Sequence, residues 1–359
     1  MKFDPIDALV RSQRVVVCLG PGGVGKTTTS VALAFAGAKA GRRVALISID
    51  PAKRLATAMG IELSHELKRI EFPDSMSTKG GALFAAMLDQ KSVFDQMVKK
   101  HTPSEKIANR ILSDPIYISA STNLSGPLEY MALAKLQELS DSTEFDLIIV
   151  DTPPDSHALD FLSRPNILGR FMDQGVMSKL IKPVAYAGKL GFGGLMSVGE
   201  KLLGGVTQVT GLQSLTKFSE FMLLIQDVVK GFHAASQRVT EVLKHSSTSY
   251  VLVCAPTQPS IRSVTTLMTE LQKLGYAANG LVINKVLSQD DVSNTTDERD
   301  RAILTTRFQG EQKAIEEVTK FMNKSQKIRD FWVSKVRDAT GDLSSFESFW
   351  GYWERLKVQ

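Results

Sequence analysis

Short, nearly unbroken apolar runs alternate with stretches at helical spacing along most of this chain. The runs are RVVVCL (14–19), RVALISI (43–49), ALFAAML (82–88), DLIIVD (146–151), YVLVCA (250–255) and NGLVINKV (279–286). They are β-branched and aliphatic, without the apolar–polar alternation of a half-exposed strand. Such strands are buried on both faces, which points to a parallel sheet covered by helices. Between the first two runs, SVALAFAGAKAG reads as a helix stopped by Gly41. The expected fold class is α/β, with helices on both faces of a mostly parallel sheet.

Two long stretches carry no strand signal. One, about 91–140, contains SVFDQMVKKH and PLEYMALAKLQEL at helical spacing; the other, about 166–245, is rich in Met, Leu, Gly and Phe. Both read as an inserted helical subdomain. Residues 288–330 form a polar, charged insertion, a loop followed by a helix. The sheet core is then discontinuous, at about 1–90, 141–165, 246–287 and 331–359, within a single domain of 359 residues.

Composition narrows the picture. Hydrophobic residues make up 43% and charged residues 23%, which is globular usage. A net charge of +5 without a basic cluster gives no case for nucleic acid. The two cysteines, Cys18 and Cys254, lie inside apolar runs and form no CxxC, so no zinc site or disulfide framework is expected. The N-terminal MKFDPIDALV has no apolar signal core, and no run reaches the ~20 residues of a spanning helix. The expected compartment is cytoplasmic.

The first run ends in GPGGVGKTTTS, Gly20 to Ser30. Gly20, Gly25, Lys26 and Thr27 satisfy G-x-x-x-x-G-K-T between a strand and a helix, the context a phosphate-binding loop requires. Backbone N–H groups of Gly20, Pro21's neighbours Gly22 and Gly23, then Val24, Gly25, Lys26, Thr27 and Thr28 surround the phosphates, and the helix N-terminus adds positive potential. Lys26 supplies a point charge for the β- and γ-phosphates, and the Thr27 hydroxyl is a ligand for Mg²⁺. A dinucleotide loop does not explain the Lys-Thr pair and lacks the G-x-G-x-x-G spacing. The fold class sharpens to a P-loop NTPase that binds a nucleoside triphosphate.

Carboxylates close two other runs. Asp151 ends DLIIVD at the carboxyl edge, where it can hold a water of the Mg²⁺ shell; the alternative is a surface acid in an ordinary connection. Thr152, Pro153 and Pro154 follow as a rigid turn placed to sense the γ-phosphate, with His157 lining that switch or packing at a helix start. Asp50, followed by Pro51, is the candidate to orient or deprotonate the attacking water; a helix cap or a second metal-shell carboxylate is the alternative.

GPGGVGKTTTS, SIDPAKRL and DTPPDSHALDFL, in this order, resemble the ArsA/Get family of P-loop ATPases. That family contains the arsenite-pump ATPase and the targeting factor for tail-anchored membrane proteins, and it is similar to MinD, ParA and nitrogenase iron protein. The segment 253–286 resembles its late strand, helix and adenine-side strand, with Asn284 at the asparagine that reads the base. RDATGDLSSFESF loosely resembles the segment that closes over adenine, which implies a contact from Asp342. The resemblance implies a homodimer, or a heterodimer with a related ATPase, cycled by ATP so that the helical parts move. It implies an apolar helix client or membrane-protein partner as a possible target. The chain departs from the family in three ways. It lacks the cysteines of an arsenite site and the CxxC of a zinc site, and Pro21 replaces the lysine that relatives extend to a partner's nucleotide.

The Met- and Leu-rich residues 171–225 read as the core of the helical subdomain ahead of a client groove. Phe346, Phe349, Trp350, Trp353 and Leu356 read as a docking helix ahead of a membrane-surface helix. The expected function is a Mg²⁺-dependent ATPase whose cycle acts on a protein or membrane partner. The second reading is a nucleotide-gated binding protein with little hydrolysis of its own.

Overall fold

A computed structural model describes residues 5–49, 54–72, 78–123, 127–153, 162, 217, 220–221, 223–324 and 332–337. The expected apolar runs all form strands. β1 (Val15–Leu19), β2 (Arg43–Ser48), β4 (Ala82–Met87), β5 (Leu147–Asp151), β6 (Thr248–Cys254) and β7 (Ala278–Val286) are joined by β3 (Lys68–Ile70) and β8 (Trp332–Arg337). The eight strands lie in the order β3-β4-β2-β5-β1-β6-β7-β8. Among the described residues only β3 pairs antiparallel, at an edge; the other pairings are parallel. β1, β5 and β6 are buried along their whole length, as their unbroken apolar sequence requires.

α1 (Pro5–Ser12) and α2 (Lys26–Lys39) cover one face. Val31, Leu33 and Phe35 of α2 and Ile6, Leu9 and Val10 of α1 pack with Val16, Cys18, Leu46, Ile149 and Val251 of the sheet. Each such side chain withdrawn from water contributes roughly 1.5–3 kcal/mol. α3 (Arg54–Met59) follows β2, and α9 (Gln258–Lys273) follows β6 with Pro259 in its first turn, where a missing N–H costs nothing.

The amino ends of β1, β2 and β5 share one edge of the sheet, and three arginines lace it. Arg14 donates to the carbonyls of Ser142 at 2.6 Å and Ser140 at 3.2 Å. Arg42 donates to Val10 at 2.7 Å, to Gln13 at 2.6 Å and to the Asp146 carbonyl. Arg43 reaches the Glu144 carbonyl at 2.8 Å. The acceptors include last-turn carbonyls of two helices, at Val10 and Ser140, which have no donor inside their helix, and carbonyls of the loops that follow them.

The polar insertion differs from a simple loop and helix. α10 (Gln289–Ser293) opens with a capping box between Ser288 and Asp291, and α11 (Glu298–Lys324) follows after a short turn. α11 buries Ala314, Ile315, Val318 and Met322. Its Glu311, also buried, accepts from the Leu287 N–H at 2.8 Å and from Arg307 at 2.7 Å.

The chain divides into two compact units. The first holds the sheet and comprises Met1–Asp89, Lys135–Ser163 and Val239–Gln359; the second comprises Gln90–Ala134 and Arg164–Arg238. In the second unit α4 (Gln90–His101), α5 (Glu105–Leu112) and α6 (Pro115–Asn123) enclose Val98, Ala108, Ile111, Tyr117 and Phe221. Ser104 caps α5 through the Ile107 N–H, and the Tyr117 hydroxyl donates to Asp95 at 2.7 Å. α7 (Pro127–Asp141) and α8 (Gln226–Lys244) complete the described helices.

Candidate functional site

The loop 20–25 leaves the carboxyl end of β1, and α2 begins at Lys26. β1 lies between β5 and β6, so the loop rises between two neighbouring strand ends. Two of its glycines have no substitute. A Cβ on Gly20 would stand 2.0 Å from the Val253 carbonyl oxygen of β6. Gly25 has φ 94°, and a Cβ there would stand 2.2 Å from Asn284 Nδ2. Only glycine allows that approach and that left-handed conformation together.

Lys26 is buried, and its Nζ donates to the Pro21 carbonyl oxygen at 2.8 Å. Pro21 itself is buried, whereas Gly22 and Gly23 are exposed. The backbone carbonyl of residue 21 is thus the acceptor on which the ammonium rests, and the proline ring brings no donor of its own to the loop.

Asp151 is 0% exposed, at the end of β5 and opposite Cys18 in the register with β1. Its Oδ2 accepts from Thr27 Oγ1 at 2.9 Å and from Ser48 Oγ at 3.0 Å; its Oδ1 accepts from Ser30 Oγ at 3.4 Å. A buried carboxylate is costly unless hydrogen bonds replace its water, and hydroxyls from α2 and β2 do so. Thr152, also buried, donates to the Cys18 carbonyl at 2.7 Å and fixes the turn that leaves β5. Thr27 and Asp151 form a pair of hard oxygen donors, the donor type that Mg²⁺ selects, so these residues fit that ion. Among the described residues, no cluster of three or more His, Cys, Asp and Glu side chains could hold a metal by itself.

β7 closes the loop from the other side. Asn284 is buried, and its Nδ2 donates to the Val24 carbonyl at 2.8 Å. Lys285 Nζ donates to the Gly23 carbonyl at 2.9 Å. Burial pushes the thiols of Cys18 and Cys254 up to about 12. Neither is a thiolate near neutrality, so neither is a ready soft-metal ligand.

The structure therefore brings Gly20, Val24, Gly25, Lys26, Thr27, Asp151, Thr152 and Asn284 to one place. Thr28 lies in the first turn of α2, and Pro153 is buried just past β5. Asp50, Pro51, Pro154, His157 and Asp342 lie outside the described residues, as do most of 171–225 and the aromatic residues 346–356. Ser30, Ser48 and Lys285 also belong to the site, although none of them has a role assigned from the sequence alone. Ser48 ends β2 and is placed beside Asp151 by the β2–β5 register.

A glycine loop after a buried parallel strand, Lys-Thr opening the next helix and an aspartate ending the adjacent strand define a P-loop nucleoside triphosphatase. More narrowly, the chain belongs to the anion-transporting ATPase family, whose sequence profile matches residues 13–330, and it is an ATPase that uses a nucleotide substrate. Among its relatives, "ATPase ASNA1 homolog 1" of Paramecium tetraurelia is 29% identical over 276 residues, covering 76% of this chain and 74% of that protein. "ATPase GET3" of Malassezia globosa is 27% identical over 281 residues, 77% of this chain and 74% of its own length. "ATPase get3" of Schizosaccharomyces pombe is 26% identical over 366 residues, 99% and 96% of the two chains. Among the described residues, no helix is long and apolar enough to cross a membrane.

Proposed function

We propose that ATP turnover in this chain is Mg²⁺-dependent and drives a conformational cycle of the helical unit that acts on a protein or membrane partner. The observation that carries the reading is the Thr27–Asp151 hydrogen bond at 2.9 Å beside the buried Lys26. Thr27 would hold the ion directly and Asp151 through water; the bound ion supplies charge neutralisation at the β- and γ-oxygens. Lys26 exchanges the Pro21 carbonyl for phosphate, so its charge is already desolvated and aimed. The loop N–H groups hold the remaining oxygens, and the three hydroxyls keep Asp151 in one orientation. Asp50 orients the attacking water.

Asp50→Asn is expected to leave ATP binding within a few-fold of wild type while lowering turnover about 10²–10⁴-fold. Equilibrium titration with ATP and a phosphate-release assay on the same sample check this; undiminished turnover removes Asp50 from the role.

A second reading has its own support. Pro21 leaves the loop without a side-chain cation at its second position. A lone chain would then hydrolyse slowly, and nucleotide would mainly time the capture and release of an apolar helix. Molecular mass and phosphate release, measured together with ADP, with ATP and with a transition-state mimic, separate the two. Nucleotide-dependent dimerisation with fast turnover favours the first, and slow turnover in every state favours the second.

A further inference from the structure

Two consecutive residues at the end of β7 hold the phosphate loop by its carbonyls. Asn284 donates to Val24 O at 2.8 Å, and Lys285 donates to Gly23 O at 2.9 Å. A trans peptide is planar, and its C=O and N–H point in opposite directions. The Gly23 carbonyl and the Val24 N–H belong to one such plane. The Val24 carbonyl and the Gly25 N–H belong to the next. Drawing both carbonyls toward β7 therefore turns the N–H groups of Val24 and Gly25 away from it. A backbone cradle for phosphate needs N–H groups that converge in this way.

The backbone around Lys285 is distorted where it makes this contact. Its φ is 62°, a left-handed conformation in which a non-glycine residue is strained. The β7–β8 pairing shifts register between Ile283 and Val286, across the same residue. Asn284 also lies against Gly25, where a Cβ would stand 2.2 Å from its Nδ2, so Asn284 and Lys285 hold consecutive carbonyls of the loop just ahead of a position with no room for a side chain. A solvent-facing lysine with no task would keep the extended backbone of its strand.

We propose that Lys285 is a positioning residue for the ATPase. With Asn284 it clasps the Gly23 and Val24 carbonyls and so presents the N–H groups of Val24 and Gly25 to the polyphosphate of the nucleotide. Lys285 acts through the loop. The proposal rests on the reading of the loop as the triphosphate cradle.

The test uses the full chain, with ADP titrated calorimetrically and steady-state ATP hydrolysis measured alongside. Loss of one charged hydrogen bond predicts that Lys285→Met weakens ADP binding about tenfold. KM for ATP rises by a similar factor while kcat stays within about threefold, because the cradle holds ground and transition states alike. Lys285→Arg, which keeps the donor, restores most of the affinity. Lys285→Gly gives the sharpest separation: glycine accepts the left-handed backbone, so the melting temperature is kept or raised while ADP affinity falls as in Lys285→Met. Unchanged ADP affinity in the Met and Gly variants overturns the clasp and leaves the site standing. A melting temperature that falls in step with affinity in Lys285→Gly also overturns it, in favour of a purely structural role. Failure of the underlying reading looks different: wild type and Lys26→Ala would then bind ADP equally poorly, which removes the proposal together with its basis.

Discussion

At Gly25, backbone conformation and packing meet within one residue. Alanine there would hold φ 94° at a cost of about 1–2 kcal/mol and would drive its Cβ into the Asn284 amide. Gly25→Ala is expected to displace Asn284, release the Val24 carbonyl and lower nucleotide affinity at least tenfold while the sheet still folds. ADP titration and far-UV circular dichroism on the same sample check this. The glycines, Lys26 and Thr27 are legible in the sequence because their spacing is itself the chemistry. Asp151 is legible because an acid ending an apolar strand has few other reasons to be there. Ser48 and Lys285 are not legible in this way. Ser48 gains its role only when β2 and β5 pair in register, and Lys285 only through a left-handed turn that lysine seldom adopts.

Whole elements obey the same rule. The six apolar strands announce themselves because central parallel strands need hydrophobic side chains on both faces. β3, with the sequence KRI, and β8, with WVSKVR, sit at the two edges of the sheet, where charged residues are tolerated and the apolar signal fades. α11 is polar over most of its 27 residues, so its length is hidden by a narrow buried stripe. Its attachment to the site runs through Glu311, which accepts from the N–H of Leu287, two residues past Lys285. Glu311→Ala leaves that buried N–H without its acceptor and removes the carboxylate that Arg307 donates to. The expected cost is about 2 kcal/mol. Glu311→Gln, which keeps an acceptor oxygen, is expected to lose less. Urea denaturation of the two variants against wild type reads the difference.

At the scale of the whole molecule, His101 ties the stability of the helical unit to pH. His101, at the end of α4 in the helical unit, lies against Gly231; a Cβ on Gly231 would meet its ring nitrogen at 2.1 Å. Burial, then the charges of Lys100 and Arg238, hold its pKa below the usual 6.5. The folded chain therefore binds a proton less readily than the unfolded chain. Its contribution to stability is full above 6.5 and is lost as pH falls below that value toward the lower folded pKa. Thermal melts at pH 7.5 and 5.5 are expected to show a destabilisation at the lower pH that is smaller in His101→Gln. In the sheet unit, Arg14, Arg42 and Arg43 add a lacing onto backbone carbonyls at the amino edge of the packed core. That lacing divides the tolerance of the chain for sequence drift. A change at the laced rim is judged by whether the chain stays folded, and a change at the opposite rim by what the chain does. A lineage that has drifted to 26% identity with its Schizosaccharomyces pombe relative can thus rewrite its chemistry on one rim while the other keeps the scaffold intact.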